Sequence, residues 1–160
     1  MLSHPSVERV TRELADRGAP GASSRVRQLD DSARTAAQAA AQLGVDVSQI
    51  ANSLVFDADG APLLVLASGG HRVDTAKVAA LVGAEHVRRA TPEFVRAHTG
   101  FAIGGVAPVG HPHPLRTLVD VALAGHDEVW AAAGHPHTVF PTTYDELVSI
   151  TGGEPAEVGE

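Results

Sequence analysis

The strongest constraint on this chain lies between residues 50 and 67. Ile50–Phe56 reads as a strand, Asp59-Gly60 as a turn, and Pro62–Ala67 as a second, almost wholly apolar strand. Asp-Gly between two such runs is a hairpin signal, because a tight hairpin turn needs left-handed backbone that Asp and Gly tolerate. A hairpin in the middle of the chain forces a sheet, and the remaining elements are read around it.

Val7, Val10 and Leu14 recur at helical spacing within 4–17, with Ser3 as a candidate cap, Pro5 in the first turn and Gly18 at the end. Ala19–Ser24 reads as a linker of small residues, and Arg25–Leu29 alternates like a short, half-buried strand. Ser32 is placed to cap an alanine-rich helix over 33–43, closed by Gly44. Asp74 caps a helix over 74–82 with Val73, Val78 and Leu81 facing inward and Gly83 as its stop. The residues 85–89 suit a short strand, and Thr91-Pro92-Glu93 starts a helix that ends before Gly100. Leu118–Leu123, Glu128–Ala133 and Val139-Phe140 read as strands, and Thr142 or Thr143 caps a last helix over 144–150. Hairpins mixed with isolated helices predict an α+β fold: a single domain over 1–160 with a mixed, mostly antiparallel, barrel-like sheet flanked by helices. From about residue 152 the chain reads as an acidic, frayed tail.

Composition narrows the chemistry. There is no cysteine, hence no disulfide framework, thiolate nucleophile or cysteine metal site. The net charge of −7 argues against a broad nucleic-acid-binding surface and against DNA, while leaving room for contact with one end of a nucleic acid. No run approaches the length of a membrane span, and a start carrying Glu8, Arg9, Arg12 and Glu13 does not read as a signal peptide. The expectation is a cytoplasmic protein without membrane contact.

Gly100–Gly110, Gly-Phe-Ala-Ile-Gly-Gly-Val-Ala-Pro-Val-Gly, is apolar enough to be buried yet punctuated like a turn. It is either a shaped loop at the floor of a pocket or an ordinary turn after a strand. The histidine pairs His111/His113 and His135/His137 could each ligate zinc if a third ligand converged, or could simply be solvated in their proline-containing loops. His135 and His137, after Gly134, could instead rim a pocket, as could His71 after Gly69-Gly70.

Several strings line up in order: Leu43-Gly44, Gln49–Phe56, Arg72–Ala79, Thr99–Gly110, Val119-Asp120 and Ala132-Ala133-Gly134. Together they resemble the YbaK family, free-standing relatives of the editing domain inserted in bacterial prolyl-tRNA synthetases. The resemblance covers roughly 5–155, and Pro108 four residues after Gly104 is its most specific part. It implies a trans-acting aminoacyl-tRNA deacylase that hydrolyses the ester of a mischarged tRNA without a metal or organic cofactor. The implied partners are the aminoacylated acceptor end of a tRNA and an aminoacyl-tRNA synthetase. The implied catalytic segment is main chain, Gly104, Gly105, Val106, Ala107 and Pro108, whose donors would face the developing oxyanion. Substrate-binding candidates are Asn52, His71, Gly134, His135 and His137.

One position departs from the family. Deacylases that this chain resembles carry a lysine where it has Asn52, and the only lysine here, Lys77, lies some 25 residues further on a predicted helix. A charge-assisted hydrogen bond contributes about 1.5–3 kcal/mol against about 0.5–1.5 for a neutral one, so the exchange costs roughly tenfold. Strand alternation puts Asn52 on one face with Ile50, Leu54 and Phe56, as pocket wall or as a partner for nearby backbone. Ser53 points the other way, without an evident base. Arg72, Lys77, Arg88, Arg89 and Arg96 form a basic group, either a solvated surface or a contact for acceptor-stem phosphates. The alternative to an enzyme is a binding module that has kept the pocket and lost efficient turnover.

Overall fold

In a computed structural model that describes residues 4–160, eight strands form one mixed sheet and six helices flank it. The hairpin is its centre. Strand β2 (Ile50–Ala58) pairs antiparallel with β3 (Ala61–Ser68) in an unbroken register from Ala51↔Ser68 to Ala58↔Ala61. Asp59 at φ 52° and Gly60 at φ 93° make the two-residue turn. The Asp59 carboxylate also accepts from the N–H groups of Glu85 and His86, which fixes the start of β4 (Val87–Arg89) beside the hairpin.

From Leu63 to Ala67 β3 is wholly apolar because both of its faces are covered there. Leu64 and Leu66 belong to the larger core with Val10 and Leu14 of helix α1 (Pro5–Asp16), while Leu63, Val65 and Ala67 pack with Val78 of helix α4 (Thr75–Val82). Burying each such leucine or valine stabilises the fold by about 1.5–3 kcal/mol. A third cluster joins helix α3 (Ala36–Leu43) to Ile50 at the start of β2 and to Trp130, its partner on the neighbouring strand.

The strand order is β1-β7-β6-β2-β3-β5-β8, with β4 on β2 as well, where β1 is Arg27–Gln28, β5 Arg116–Asp120, β6 Val129–Ala132, β7 Thr138–Thr142 and β8 Glu154–Ala156. The β2–β6, β3–β5 and β5–β8 pairs are parallel and the other four antiparallel. Helix α5 (Pro92–Thr99), capped by Thr91, and helix α6 (Tyr144–Thr151), capped by Thr143, start where the sequence places them.

Several local expectations are corrected. The tail is not frayed: Glu154–Ala156 adds parallel to β5, Ala156 and Val158 are buried, and Gly159 bridges Val73. A glutamate, a proline and one alanine give no alternation to announce this strand. Ala19–Ser24 contains a helical turn, α2 (Pro20–Ser23). Both residues of β1 are exposed. Thr35, not Ser32, caps α3, through a capping box with Gln38, while Ser32 bonds the Asp30 carboxylate. The cap of α1 is His4, whose ring accepts from the Ser6 N–H; Ser3 lies outside the described residues. Leu81 is 47% exposed rather than inward. β5 stops at Asp120, and the chain turns into a 3-10 segment over Val121–Gly125 because the Asp120 carboxylate takes the Ala122 N–H.

Candidate functional site

One edge of β2 is paired with β3 throughout. The other pairs with β6 at Ile50 and Ala51 and with β4 at Phe56–Ala58. Between these contacts Asn52–Val55 have no strand partner on that edge among the described residues. An open cleft of about 760 Å³ runs along the gap, within the ordinary range for small-molecule sites. Because β2 is seen edge-on, both of its faces contribute, and Asn52 to Phe56 all line the cleft.

One wall is made of side chains. Asn52 is exposed, and its amide has no hydrogen-bond partner among the described residues, so it is available to a ligand. His71 lines the same cleft, and its Nδ1 lies 2.9 Å from Oδ2 of Asp120. Asp120 is 1% exposed, and its carboxylate also accepts from the N–H groups of Ser68 and Ala122. Gly159 packs flat against the His71 ring; a Cβ there would lie 2.5 Å from Nδ1. Arg72, Arg89 and Glu160 supply charge around the opening.

The glycine-rich loop makes a second wall. Gly104 and Val106 face the cleft, beside exposed Ile103. Gly104 holds φ +88°, and Gly105 has no room for a side chain, since a Cβ would meet Pro136 Cδ at 2.8 Å and the His135 carbonyl carbon at 3.0 Å. The Gly105 N–H closes a turn on the Ala102 carbonyl. Those of Gly104, Val106 and Ala107 have no protein acceptor among the described residues, although Val106 and Ala107 are buried. Buried donors left over by the fold are what a developing oxyanion requires. From behind, the His111 ring bonds the Ala107 carbonyl at 2.7 Å, and burial pushes its imidazole below the ordinary value of 6.5.

The structure thus brings Asn52, His71, Gly104 and Val106 to one cleft, while Gly105, packed on His135-Pro136, and fully buried Ala107 do not line it. The other candidates lie elsewhere. Pro108 faces a small separate pocket with Arg17, His111 and His113, on the far side of its loop. Gly134 is buried against Ser6, Val10 and Phe101. His135 turns back onto the Pro136 carbonyl and packs at a tilt against the His4 ring, and His137, at φ 71°, bonds the Ala33 carbonyl. These two rings fasten the segment that supports Gly105 instead of rimming the cleft. Among the described residues no group of three or more His, Cys, Asp or Glu is placed to hold a metal ion. Lys77 bonds the Gly159 carbonyl at 2.7 Å and does not line the cleft. The Ser53 Oγ is buried without a partner among the described residues.

Sequence reading assigned no role to Asp120, although Val119-Asp120 is one of the aligned strings. No local signal pairs it with a histidine 49 residues earlier; only the parallel pairing of β3 and β5 brings the two together. Glu160 was hidden by the assumption of a frayed end.

A family model for the aminoacyl-tRNA editing domain matches residues 30–150. The chain is 34% identical over 123 residues to the uncharacterized protein YwhH of Bacillus subtilis, covering 76% of this chain and 78% of that protein. It is also 34% identical over 147 residues to the proline–tRNA ligase of Nitratidesulfovibrio vulgaris, where the match spans 85% of this chain and only 25% of the ligase. A crystal structure of a proposed trans-editing enzyme for prolyl-tRNA synthetase superposes with a TM-score of 0.91 at 46% identity, over 98% of both chains. The hypothetical protein APE2540 superposes with a TM-score of 0.83 at 31% identity, over 95% of this chain and 99% of that one.

Proposed function

We infer the activity from one premise: the chain belongs to the aminoacyl-tRNA editing domain family. Its proposed reaction is hydrolysis, in trans, of the ester that joins a wrongly attached amino acid to the terminal adenosine of a tRNA. The similarity to a trans-editing protein and to a segment of proline–tRNA ligases supports tRNA charged by prolyl-tRNA synthetase as the substrate, and the cytoplasm as the place of action.

The observation that carries this reading is that Gly104 and Val106 of the glycine-rich loop line one cleft with Asn52. The amino acid and the terminal ribose fill the cleft. Water adds to the ester carbonyl, and the Gly104 and Val106 N–H groups, which have no acceptor among the described residues, take the charge that develops on its oxygen. Loss of one such donor costs about 10²–10³ in rate in comparable sites. Asn52 holds the substrate end by its amide. Arg72 and Arg89, at the opening, suit the phosphates next to the terminal nucleotide, an attachment that weakens with salt. The test is release of amino acid from a panel of mischarged tRNAs, with mischarged proline tRNA expected to react fastest. No release above buffer from any of them overturns the reading.

Asn52 supports a second reading, a binding module without efficient turnover, because a neutral amide stands where related deacylases use a lysine. That reading expects a nonhydrolysable aminoacyl-adenosine analogue to bind while no mischarged tRNA is turned over.

A further inference from the structure

The family resemblance assigns catalysis to main chain and water and leaves His71 at most a contact with substrate. We propose that His71, held by Asp120, is the general base that activates the attacking water; this rests on the deacylase reading above.

The geometry is that of an oriented imidazole. Asp120 is fully buried, and its three hydrogen bonds come from the Ser68 and Ala122 N–H groups and the His71 ring. With Asp120 as the acceptor of the bond to His71, Nδ1 carries the proton and Nε2 presents its lone pair. Nε2 has no protein partner among the described residues, and the side chain is 37% exposed on the cleft. The contact with Gly159 fixes the ring plane, and the Lys77 ammonium holds the Gly159 carbonyl in place. A solvated surface histidine needs none of this support.

The step balances without a co-reactant. Nε2 takes a proton from water as its oxygen bonds to the ester carbon, and the carbonyl π pair moves onto oxygen, toward the Gly104 and Val106 N–H groups. Asp120 stabilises the imidazolium. Collapse of the adduct breaks the bond to the ribose oxygen, which takes the proton from Nε2 and leaves as the free hydroxyl. The amino acid leaves as its carboxylic acid, and His71 is neutral again. Bases of this kind contribute about 10²–10⁴-fold.

The test compares the parent with His71→Asn on mischarged proline tRNA across pH, with binding of a nonhydrolysable aminoacyl-adenosine analogue measured in parallel. The charged groups around the ring are Asp120, Glu160, Arg72, Arg89 and Lys77, and both proteins carry them all. Expected are a loss of at least 10²-fold in kcat in the variant, analogue affinity within a few-fold, disappearance of the acid-side fall in rate, and partial rescue of His71→Gly by added imidazole. A variant with the parent's rate and pH profile overturns the base role while leaving the deacylase reading intact. A parent without activity on any mischarged tRNA overturns both. Nitrogen NMR of the parent gives a check independent of turnover: a proton found on Nε2 rather than Nδ1 of His71 overturns the proposal, and it stays usable if His71→Asn fails to fold.

Discussion

The two walls of the cleft are built on different principles. On one side Asn52 and His71 present side-chain atoms, and the second of these is aimed by a buried carboxylate. On the other, Gly104 and Val106 present main chain, shaped by what packs behind it: the His135-Pro136 segment and the His111 ring. A side-chain wall can be retuned by single substitutions and can titrate. A main-chain wall has nothing to exchange and is altered only through its support.

The largest test of this contrast is Gly105→Ala. The new methyl would press on backbone atoms of His135 and Pro136, which cannot swing aside. The loop must then move away from its support, and kcat should fall by about 10²-fold, as for the loss of one oxyanion donor. Calorimetry should show the protein still folded; unchanged kcat would mean that the loop geometry does not matter. Next comes Asn52→Lys, on the other wall, where restoring a charge should raise kcat/KM by about tenfold, the difference between a neutral and a charge-assisted bond. Equal activity would show that the amide already serves as well as an ammonium. Gly104→Ala should be milder than its neighbour. Nothing lies within 4 Å of the new methyl, and the cost is the positive φ alone, about 1–2 kcal/mol seen as a lowered Tm.

The smallest effect concerns pH. The His111 imidazole is held below 6.5, first by burial and also by Arg17 and Arg9, against the opposing pull of the Ala107 carbonyl. Below pH 6.5 the unfolded chain takes up a proton there that the folded chain refuses. Stability therefore falls as pH drops through that value and levels off once the folded group titrates too. Thermal melts between pH 7.5 and 5 should show the decline, and His111→Gln should flatten it. Asp59 acts in a separate window: the Glu85 and His86 N–H groups lower its carboxyl, so its share is lost only as pH falls below 3.8.

What the sequence made legible follows the same division. The hairpin, the caps at Asp74, Thr91 and Thr143, and the stops at Gly44, Gly83 and Gly100 are local signals, written within four residues of where they act. So is the glycine pair of the main-chain wall, whose shape is needed at that very point. The side-chain wall was legible only in part. Asn52 and His71 could be nominated, but the Asp120 that aims the second comes from a distant strand. The same distance hid the true place of His135 and His137, whose rings are taken up by the His4 ring and the Ala33 carbonyl. The closing strand beside His71 was missed because Glu154-Pro155-Ala156 has almost no pattern of its own until β5 offers it an edge.

The break in pairing along β2 has a consequence for motion. In most sheets protection against solvent is greatest at the middle of a central strand and fades toward its ends. Here the order is inverted along one edge: Ile50-Ala51 and Phe56–Ala58 are tied to neighbours, and the stretch between them is not. Those amides of Asn52–Val55 that point away from β3 should exchange with deuterium quickly in the free protein and slow sharply once an aminoacyl-adenosine analogue lies along the strand.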